Sequence, residues 1–365
     1  MQNELFEGEK AISQLADELH REFPKDSKIA LFTGNSFYRN PEKQKILEVL
    51  DGYKPQYHLC SSNPDLKAVE GAVKFLRRFN PNLIVAIGGG SVIDLAKAAN
   101  AFLANPQEIS SNAQFSSKGL YFIAIPTTAG SGTEVTPFSS IKNKDGITKF
   151  SFVNERLIPD LAVLWYPLTF TLPPYETAIT GLDALTQAVE TYWSKNATEH
   201  TKELSLKGIR LIMNNLQTAF KEPRNKEARQ NMLLAANFSG QAIAIARTTI
   251  CHSVSYPLTS RFNIPHGHAV FLTLPSFLEF NASHLDNNGG ERLYEALGSK
   301  NAKQAASNLR DLGRNLGIES RLSNLGISVE DIPLILDNGF RPDRAGNNPV
   351  TVTKEDLNTV LMGIL

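Results

Sequence analysis

The stretch Leu83-Ile84-Val85-Ala86-Ile87-Gly88-Gly89-Gly90-Ser91 decides the fold of the N-terminal half of the chain. Its five apolar residues, rich in β-branched types, predict a buried strand over 83–87 that stops at three glycines. A helical pattern follows over 92–104. A strand that runs through a glycine turn into a helix is typical of a parallel sheet with helices on both faces.

Other short apolar runs in the first half share this pattern and are separated by segments with helical spacing. The runs are 29–33, 57–60, 121–125 and 161–164. Strand and helix alternating at this spacing predict an α/β domain over residues 1–170, built on a parallel sheet.

The pattern changes after Pro173-Pro174, where most segments become long and helical. Residues 203–220 and 227–245 are the clearest examples. The last part, 300–365, is predicted to be helical with loops around 337–348. The sequence therefore predicts an all-α domain over residues 171–365.

Composition narrows the class of protein. The 365 residues suit two domains, and 37 basic residues balance 37 acidic ones. Zero net charge gives no reason to expect nucleic acid or a membrane surface as a partner. Only Cys60 and Cys251 are present, so we expect no disulfide framework and a cytoplasmic location. No signal peptide or membrane span is expected.

The glycine turn is a candidate anion site. Gly88, Gly89, Gly90 and Ser91 would present backbone N–H groups at a helix N-terminus, where a cofactor phosphate can approach. The usual dinucleotide pattern is not met, because Ile93 stands where its last glycine should be. A tight strand-to-helix turn is the alternative. Asp94, placed in the first helical turn, would either complement the helix dipole or lie near the nicotinamide.

A second turn, over 126–133, is richer in hydroxyl groups and glycine than a plain connection needs. Thr127, Thr128 and Ser131 are candidates to contact the cofactor, and helix capping is the alternative. Both turns follow strands of one sheet, at the edge where open α/β sheets bind ligands.

The second half holds a candidate metal site. Asp183 and Gln187 are four residues apart, so a helix would present both on one face. His252 and His266 follow, the first predicted on a helix and the second at a turn. Two imidazoles and a carboxylate suit Fe²⁺ or Zn²⁺, and the glutamine oxygen would be a fourth, weaker ligand. Purely structural roles for these residues remain the alternative.

These pieces, in this order, resemble the iron-containing (group III) alcohol dehydrogenase family. The resemblance covers essentially the whole chain. The matching segments are 88–97, 126–136, 180–190, His252 with 265–267, and 347–349 followed by 353–357.

The resemblance implies a dinucleotide-binding α/β domain followed by an all-α domain, the dehydroquinate synthase-like fold. It implies NAD(H) or NADP(H) and Fe²⁺ or Zn²⁺ as cofactors, and a homodimer. Asp183, His252 and His266 fall on metal-ligand positions, and Gln187 falls where most members have histidine. Tyr256 also replaces a common histidine. Gly34 replaces an aspartate that disfavours NADPH in many NAD-using members.

The substrate class is suggested by Arg247, five residues before His252 and followed by two threonines. An arginine near the metal would bind an anionic head group, and a structural ion pair is the alternative. Arg261 and Lys149 are further candidate cations, and Lys149 is equally a candidate at the cofactor. The proton is expected to pass through a cofactor ribose hydroxyl or through Tyr256, and a packed aromatic residue is the alternative for Tyr256.

Segments 247–260 and 190–194 resemble the phosphonoacetaldehyde reductase (hydroxyethylphosphonate dehydrogenase) subgroup. This implies reduction of phosphonoacetaldehyde to 2-hydroxyethylphosphonate, a small anionic substrate.

Three other functions remain open. The first is a general reductase of short-chain aldehydes or of sulfoacetaldehyde. The second is a glycerol dehydrogenase or dehydroquinate-synthase-like lyase of the same fold, and the segment 126–136 argues against the lyase. The third is a non-catalytic nucleotide-binding protein whose metal site has decayed, which Gln187 would explain. Cys251, beside His252, is predicted to be buried and inert rather than a reactive thiol.

Overall fold

The computed structural model describes residues 3–143 and 149–365, apart from the side chains of Lys149 and Asp343. Its strands are β1 Glu4–Glu7, β2 Lys28–Thr33, β3 Lys54–Leu59, β4 Leu83–Gly88, β5 Tyr121–Pro126, β6 Phe138–Lys142, β7 Lys149–Val153 and β8 Leu161–Leu164. Six of them form a sheet in the order β1-β8-β5-β4-β2-β3, and every neighbouring pair is parallel. Strands β6 and β7 form a separate antiparallel hairpin.

The helices account for most of the remaining chain. They are α1 Ala11–Glu22, α2 Asn35–Arg39, α3 Lys43–Val49, α4 Leu66–Phe79, α5 Gly90–Ala104, α6 Pro174–Trp193, α7 Glu199–Lys221, α8 Lys226–Ala246, α9 Ile250–Phe262, α10 His266–Phe280, α11 Ala282–Asp286, α12 Gly290–Ala296, α13 Ala302–Asn315, α14 Ile332–Gly339, α15 Pro342–Ala345 and α16 Lys354–Gly363. Within the described ranges, no helix is long and apolar enough to cross a membrane.

Strand β4 lies at the centre of the sheet and is buried along its whole length. Because side chains alternate across a strand, Ile84 and Ala86 pack on one face with residues of α4 and α5. Val85 and Ile87 pack on the opposite face with residues of α1. The sheet is therefore covered by helices on both sides, and the predicted α/β fold class is confirmed.

The chain folds as two compact units. The first comprises residues 1–128 and 132–172 and contains the parallel sheet. The second comprises 129–131 and 173–365 and consists of helices α6 to α16 with their connections.

Some strands and C-terminal segments differ from the prediction. Strand β1 is absent from the predicted set because Glu4-Leu5-Phe6-Glu7 offers only two apolar residues, and the β6–β7 hairpin is absent because only half of its ten strand residues are apolar. The predicted loop over 337–348 is wrong in part, since α14 continues to Gly339 and α15 occupies Pro342–Ala345. The proline at the start of each of these helices supplies a fixed φ suited to a first helical turn.

Candidate functional site

Helix α6 carries the first part of the candidate site. It begins at Pro174 and is buried along most of its length. Asp183 and Gln187 lie one turn apart on it, as predicted, and both are buried. Nearly continuous burial means that α6 is a core helix of the second unit, so its polar side chains must find partners inside that unit.

The two histidines come from the next helices. His252 lies in the first turn of α9, and His266 is the first residue of α10, directly after Pro265. Gly267 allows α10 to approach α6 closely, because a Cβ at this position would lie 1.9 Å from the carbonyl oxygen of Ile179. This close approach brings His266 beside Asp183.

Asp183, His252 and His266 offer three ligand atoms that all lie within 4.8 Å of one another. His252 Nε2 is 3.5 Å and His266 Nε2 is 3.8 Å from Asp183 Oδ1. A tetrahedral ion with bonds of roughly 2.1 Å separates its donors by about 3.4 Å, so the spacing fits a divalent ion. Among the described residues, Asp183 Oδ1 and His252 Nε2 are buried without a hydrogen-bond partner, as expected of metal ligands.

The charges in this group are strongly coupled. Burial alone would raise the pKa of Asp183, but attraction to His266 and His252 outweighs it and lowers the pKa below its ordinary value. Burial would likewise lower the pKa of His252, yet Glu190 and Asp183 raise it. A buried group that attracts positive charge this strongly suits a divalent cation.

The glycine turn lies in the first unit. Strand β4 ends at Gly88, Gly89 is the N-cap, and α5 begins at Gly90 rather than at the predicted Val92. No described side chain caps this helix N-terminus. A Cβ on Gly88 would lie 2.5 Å from the Val92 side chain, so the turn needs glycine there. Open N–H groups at a half-buried helix start fit a phosphate.

The second predicted turn lies next to the first. Thr127 N donates to Gly88 O at 3.0 Å, and a Cβ on Gly89 would lie 3.4 Å from the Thr128 side chain. Ser131 belongs to the segment 129–131, which packs with the second unit. Ser91 Oγ accepts from Asn63 N at 3.2 Å. Cofactor contacts by these hydroxyl groups stay predictions.

Asp94 requires a correction. Because α5 begins at Gly90, Asp94 lies beyond the first turn and cannot serve the helix dipole as predicted. Its carboxylate accepts from Thr133 Oγ1 at 2.5 Å and from Ser140 N at 3.0 Å, so it anchors the chain that follows β5. Its role near the nicotinamide stays a prediction. Lys149 begins β7, and its side chain lies outside the described residues.

Comparison with known proteins gives this arrangement a family. Residues 2–165 match the model for "Iron-containing alcohol dehydrogenase", and residues 177–365 match "Fe-containing alcohol dehydrogenase family, C-terminal". The chain belongs to the iron-containing alcohol dehydrogenase family. It is therefore an oxidoreductase of the alcohol dehydrogenase class.

Individual members of the iron-containing alcohol dehydrogenase family are similar over most of the chain. Alcohol dehydrogenase 4 of Saccharomyces cerevisiae is 31% identical over 98% of this chain and 95% of its own length. The NADPH-dependent butanol dehydrogenase of Clostridium saccharobutylicum is 30% identical over 86% of this chain and 82% of its own length. The crystal structure of sulfoacetaldehyde reductase from Bifidobacterium kashiwanohense in complex with NAD⁺ has a TM-score of 0.91, with 30% identity, over 100% of this chain and 97% of that one.

In this family member, the predicted substrate residues lie around the start of α9. Arg247 is the C-cap of α8 and has φ at +63°, a positive value that is unusual for arginine. Tyr256 lies one turn after His252 on α9 and is half-buried. Arg261 lies at the exposed end of the same helix. The candidate head-group residue and the candidate proton donor therefore flank a candidate metal ligand.

Sequence reasoning missed three residues of this region. Glu190 is fully buried and shares a short hydrogen bond with His252 Nδ1. Arg341 lies with its guanidinium 4.5 Å from the Tyr256 ring centroid, and Arg344 Nη1 donates to Thr248 Oγ1 at 2.6 Å. Glu190 lies three residues after Gln187, so helical spacing could have indicated that it lies on the same face of the helix. Arg341 and Arg344 are about ninety residues from α9 in the sequence, so no local pattern indicated that they contact this region.

Proposed function

We propose that the chain is a metal-dependent, NAD(P)H-linked reductase of small aldehydes that carry an anionic group. The first candidate reaction is reduction of phosphonoacetaldehyde to 2-hydroxyethylphosphonate. Sulfoacetaldehyde is the second candidate, because a structurally similar relative is named for it. One observation carries the proposal: Arg344 and Arg341 contact Thr248 and Tyr256, which lie on either side of the candidate metal ligand His252 in the sequence.

The arginines are arranged around the first turn of α9. Arg247 is half-buried, and both burial and the charge of Arg344 lower its pKa. Arg341 stacks on Tyr256, and its backbone N–H donates to Ser253 Oγ at 2.7 Å. A phosphonate or sulfonate group suits such a site, because guanidinium groups bind tetrahedral anions through several N–H donors.

The chain's own residues have separate tasks in this proposal. Asp183, His252 and His266 bind the metal, and the turn at 88–91 binds the cofactor phosphates. When bound, the metal and the nicotinamide supply a Lewis acid and a hydride. Tyr256 places a hydroxyl group one turn from His252, where it can deliver the proton that the product alcohol needs.

The cofactor is proposed to be either NADH or NADPH. Gly34 is the N-cap of α2, directly after β2, the strand next to β4 in the sheet. With no carboxylate at this residue, a 2′-phosphate meets no repulsion from it. The named relatives are consistent with both cofactors, since one title gives NADPH and another NAD⁺.

The test is the initial rate of NADH and NADPH oxidation after anaerobic reconstitution with Fe²⁺ or Zn²⁺. Phosphonoacetaldehyde, sulfoacetaldehyde and propanal are compared. We expect a metal-dependent rate that favours the anionic aldehydes. Arg247→Ala should raise KM for them by roughly 10- to 100-fold, the value of one or two charge-assisted hydrogen bonds, and spare propanal.

Arg261→Ala is the matched control, because it removes the same charge from the exposed end of α9. Equal losses on charged and uncharged aldehydes in Arg247→Ala would exclude the head-group role. A rate with propanal alone would leave an aldehyde reductase and discard the anionic substrate.

A further inference from the structure

The side-chain oxygen of Gln187, the atom that would serve as a fourth metal ligand, already accepts a hydrogen bond from another helix. Its Oε1 accepts a hydrogen bond from Ser239 Oγ of α8 at 3.2 Å. Its amide group lowers the pKa of the buried Asp183 carboxylate, as a hydrogen-bond donor beside that carboxylate does. The amide oxygen of Gln187 therefore faces α8, and its amide N–H group faces Asp183.

The buried atoms that lack hydrogen-bond partners are a second indication of which side chains bind the metal. Asp183 Oδ1 and His252 Nε2 are buried without hydrogen-bond partners in the described part of the chain, whereas Gln187 Oε1 has Ser239. With His266 Nε2 at 3.8 Å from Asp183 Oδ1, the convergent donors are one carboxylate oxygen and two imidazole nitrogens.

Glu190 holds His252 in the orientation that this set requires. The carboxylate accepts from Thr249 Oγ1 and from Cys251 N, both at 2.7 Å, and from His252 Nδ1. With the proton on Nδ1, the lone pair of Nε2 points to Asp183. Asp183 and Glu190 together also supply two negative charges, which balance a divalent ion in a buried site.

We propose that this chain binds its divalent ion through three side chains, those of Asp183, His252 and His266. Gln187 and Glu190 are positioning residues on α6, the first orienting Asp183 and the second orienting His252. The remaining coordination positions belong to oxygen ligands from outside the protein. The inference rests on the metal dependence in the proposed function and is independent of the substrate.

The first test is Co²⁺ binding to the metal-free protein, measured by chelator competition and by the visible ligand-field spectrum without substrate. Gln187→Leu should weaken binding by at most about 10-fold and leave the spectrum at saturation unchanged, because no ligand is lost. Gln187→His should change the spectrum, because it adds a donor. Asp183→Asn, which removes a ligand, should weaken binding by more than about 100-fold.

A changed spectrum in Gln187→Leu would overturn the three-ligand centre. Gln187→Asn is the second variant should the leucine protein fail to fold, since the shorter amide is withdrawn from both partners. A protein that binds Co²⁺ as expected but reduces no anionic aldehyde would refute the substrate and leave this inference standing.

The second test concerns Glu190. Glu190→Gln places an amide against donors that the carboxylate accepts from, so Co²⁺ binding should weaken by roughly 10- to 100-fold, and Glu190→Asp should recover part of it. Imidazole ¹⁵N shifts of the metal-free protein should show that His252 loses its Nδ1–H tautomer.

His268 is the internal control, because its Nε2 bonds to the carbonyl of Glu319 and does not involve Glu190. Binding within about 3-fold of wild type and an unchanged His252 tautomer in Glu190→Gln would overturn the positioning role. A merely structural role would lower the melting temperature without changing either readout.

Discussion

At the scale of the residue, Lys97 shows how a buried charge can organise a segment that is a candidate for binding the cofactor. Its ammonium group lies inside the α/β unit and donates to the carbonyl oxygens of Thr133, Thr136 and Phe138. With Asp94 holding Thr133 and Ser140, it fixes the path of the chain after β5. The hydroxyl-rich turn is thereby held beside the glycine turn.

The pH dependence of stability tests the state of Lys97. Burial lowers the pKa of Lys97 from 10.5 to about 8, against the opposing pull of Asp94 and Glu134. The unfolded chain therefore binds the proton of Lys97 more tightly than the folded chain does. The free-energy cost of burying the charged ammonium group is fully present below pH 8. The contribution of Lys97 to the free energy of unfolding should rise by up to about 3 kcal/mol between pH 8 and pH 10.5.

The measurement compares denaturant unfolding of the wild type with Lys97→Met across this range. At each pH, the free energy of unfolding of Lys97→Met is subtracted from that of the wild type, which removes the contribution of the groups that titrate in both proteins. A difference that stays flat from pH 8 to pH 10.5 would contradict the lowered pKa.

At the scale of the element, the packing of α10 on α6 decides where His266 lies. We predict that Gly267→Ala weakens metal binding by at least about 10-fold and lowers the free energy of unfolding by roughly 1–3 kcal/mol. The added Cβ would lie 1.9 Å from Ile179 O and 3.2 Å from Asp183 Cβ, so the helices must move apart.

Isothermal titration with Zn²⁺ and denaturant unfolding measure the two effects. Gly71→Ala is the control, because a Cβ at this exposed position on α4 has no described atom within 4 Å. It should leave metal binding unchanged and stabilise the protein by up to about 1 kcal/mol. Normal metal binding in Gly267→Ala would show that the close approach is not needed.

The elements also show what the sequence could predict. Strands β4, β5 and β8 were found because buried parallel strands are continuous apolar runs, and α7 and α8 because their length and periodicity exclude strands. The short, half-polar β1 lacks such a signal, since its pairing with β8 depends on residues about 157 positions away.

The residues of the candidate site likewise differ in whether the sequence could predict them. Asp183 and Gln187 were predictable as a pair, because helical spacing alone puts them on one face. The role of Glu190 depends on hydrogen bonds to Thr249, Cys251 and His252, all about sixty residues away. The orientation of the Gln187 amide depends on Ser239, a contact that no local pattern encodes.

At the scale of the whole molecule, the two candidate ligand sites are divided between the two units. The proposed metal ligands all belong to the helical unit, and the glycine turn belongs to the α/β unit. We predict that Zn²⁺ at about 100 times its Kd stabilises the helical unit by about 2.7 kcal/mol against local opening. Amide hydrogen exchange should then slow in α6, α9 and α10, and remain unchanged in β4 and α5.

The measurement is hydrogen exchange by mass spectrometry on metal-free and metal-loaded protein. Asp183→Asn with the same Zn²⁺ is the control, and its exchange should match that of the metal-free protein. Equal protection of both units in the wild type would show that they open as one cooperative body.

The placement of the two cysteines gives each unit its own chemical reporter. Cys60 lies in the α/β unit and Cys251 in the helical unit, and both are buried. Burial raises the pKa of Cys60 to about 12 and that of Cys251 well above its ordinary value, so neither is a thiolate at neutral pH in the folded chain. A thiol-alkylating reagent can therefore modify each cysteine only when its surroundings open. The two alkylation rates, measured separately on the tryptic peptides of Cys60 and Cys251, would give the rate of local opening in each unit without any introduced label.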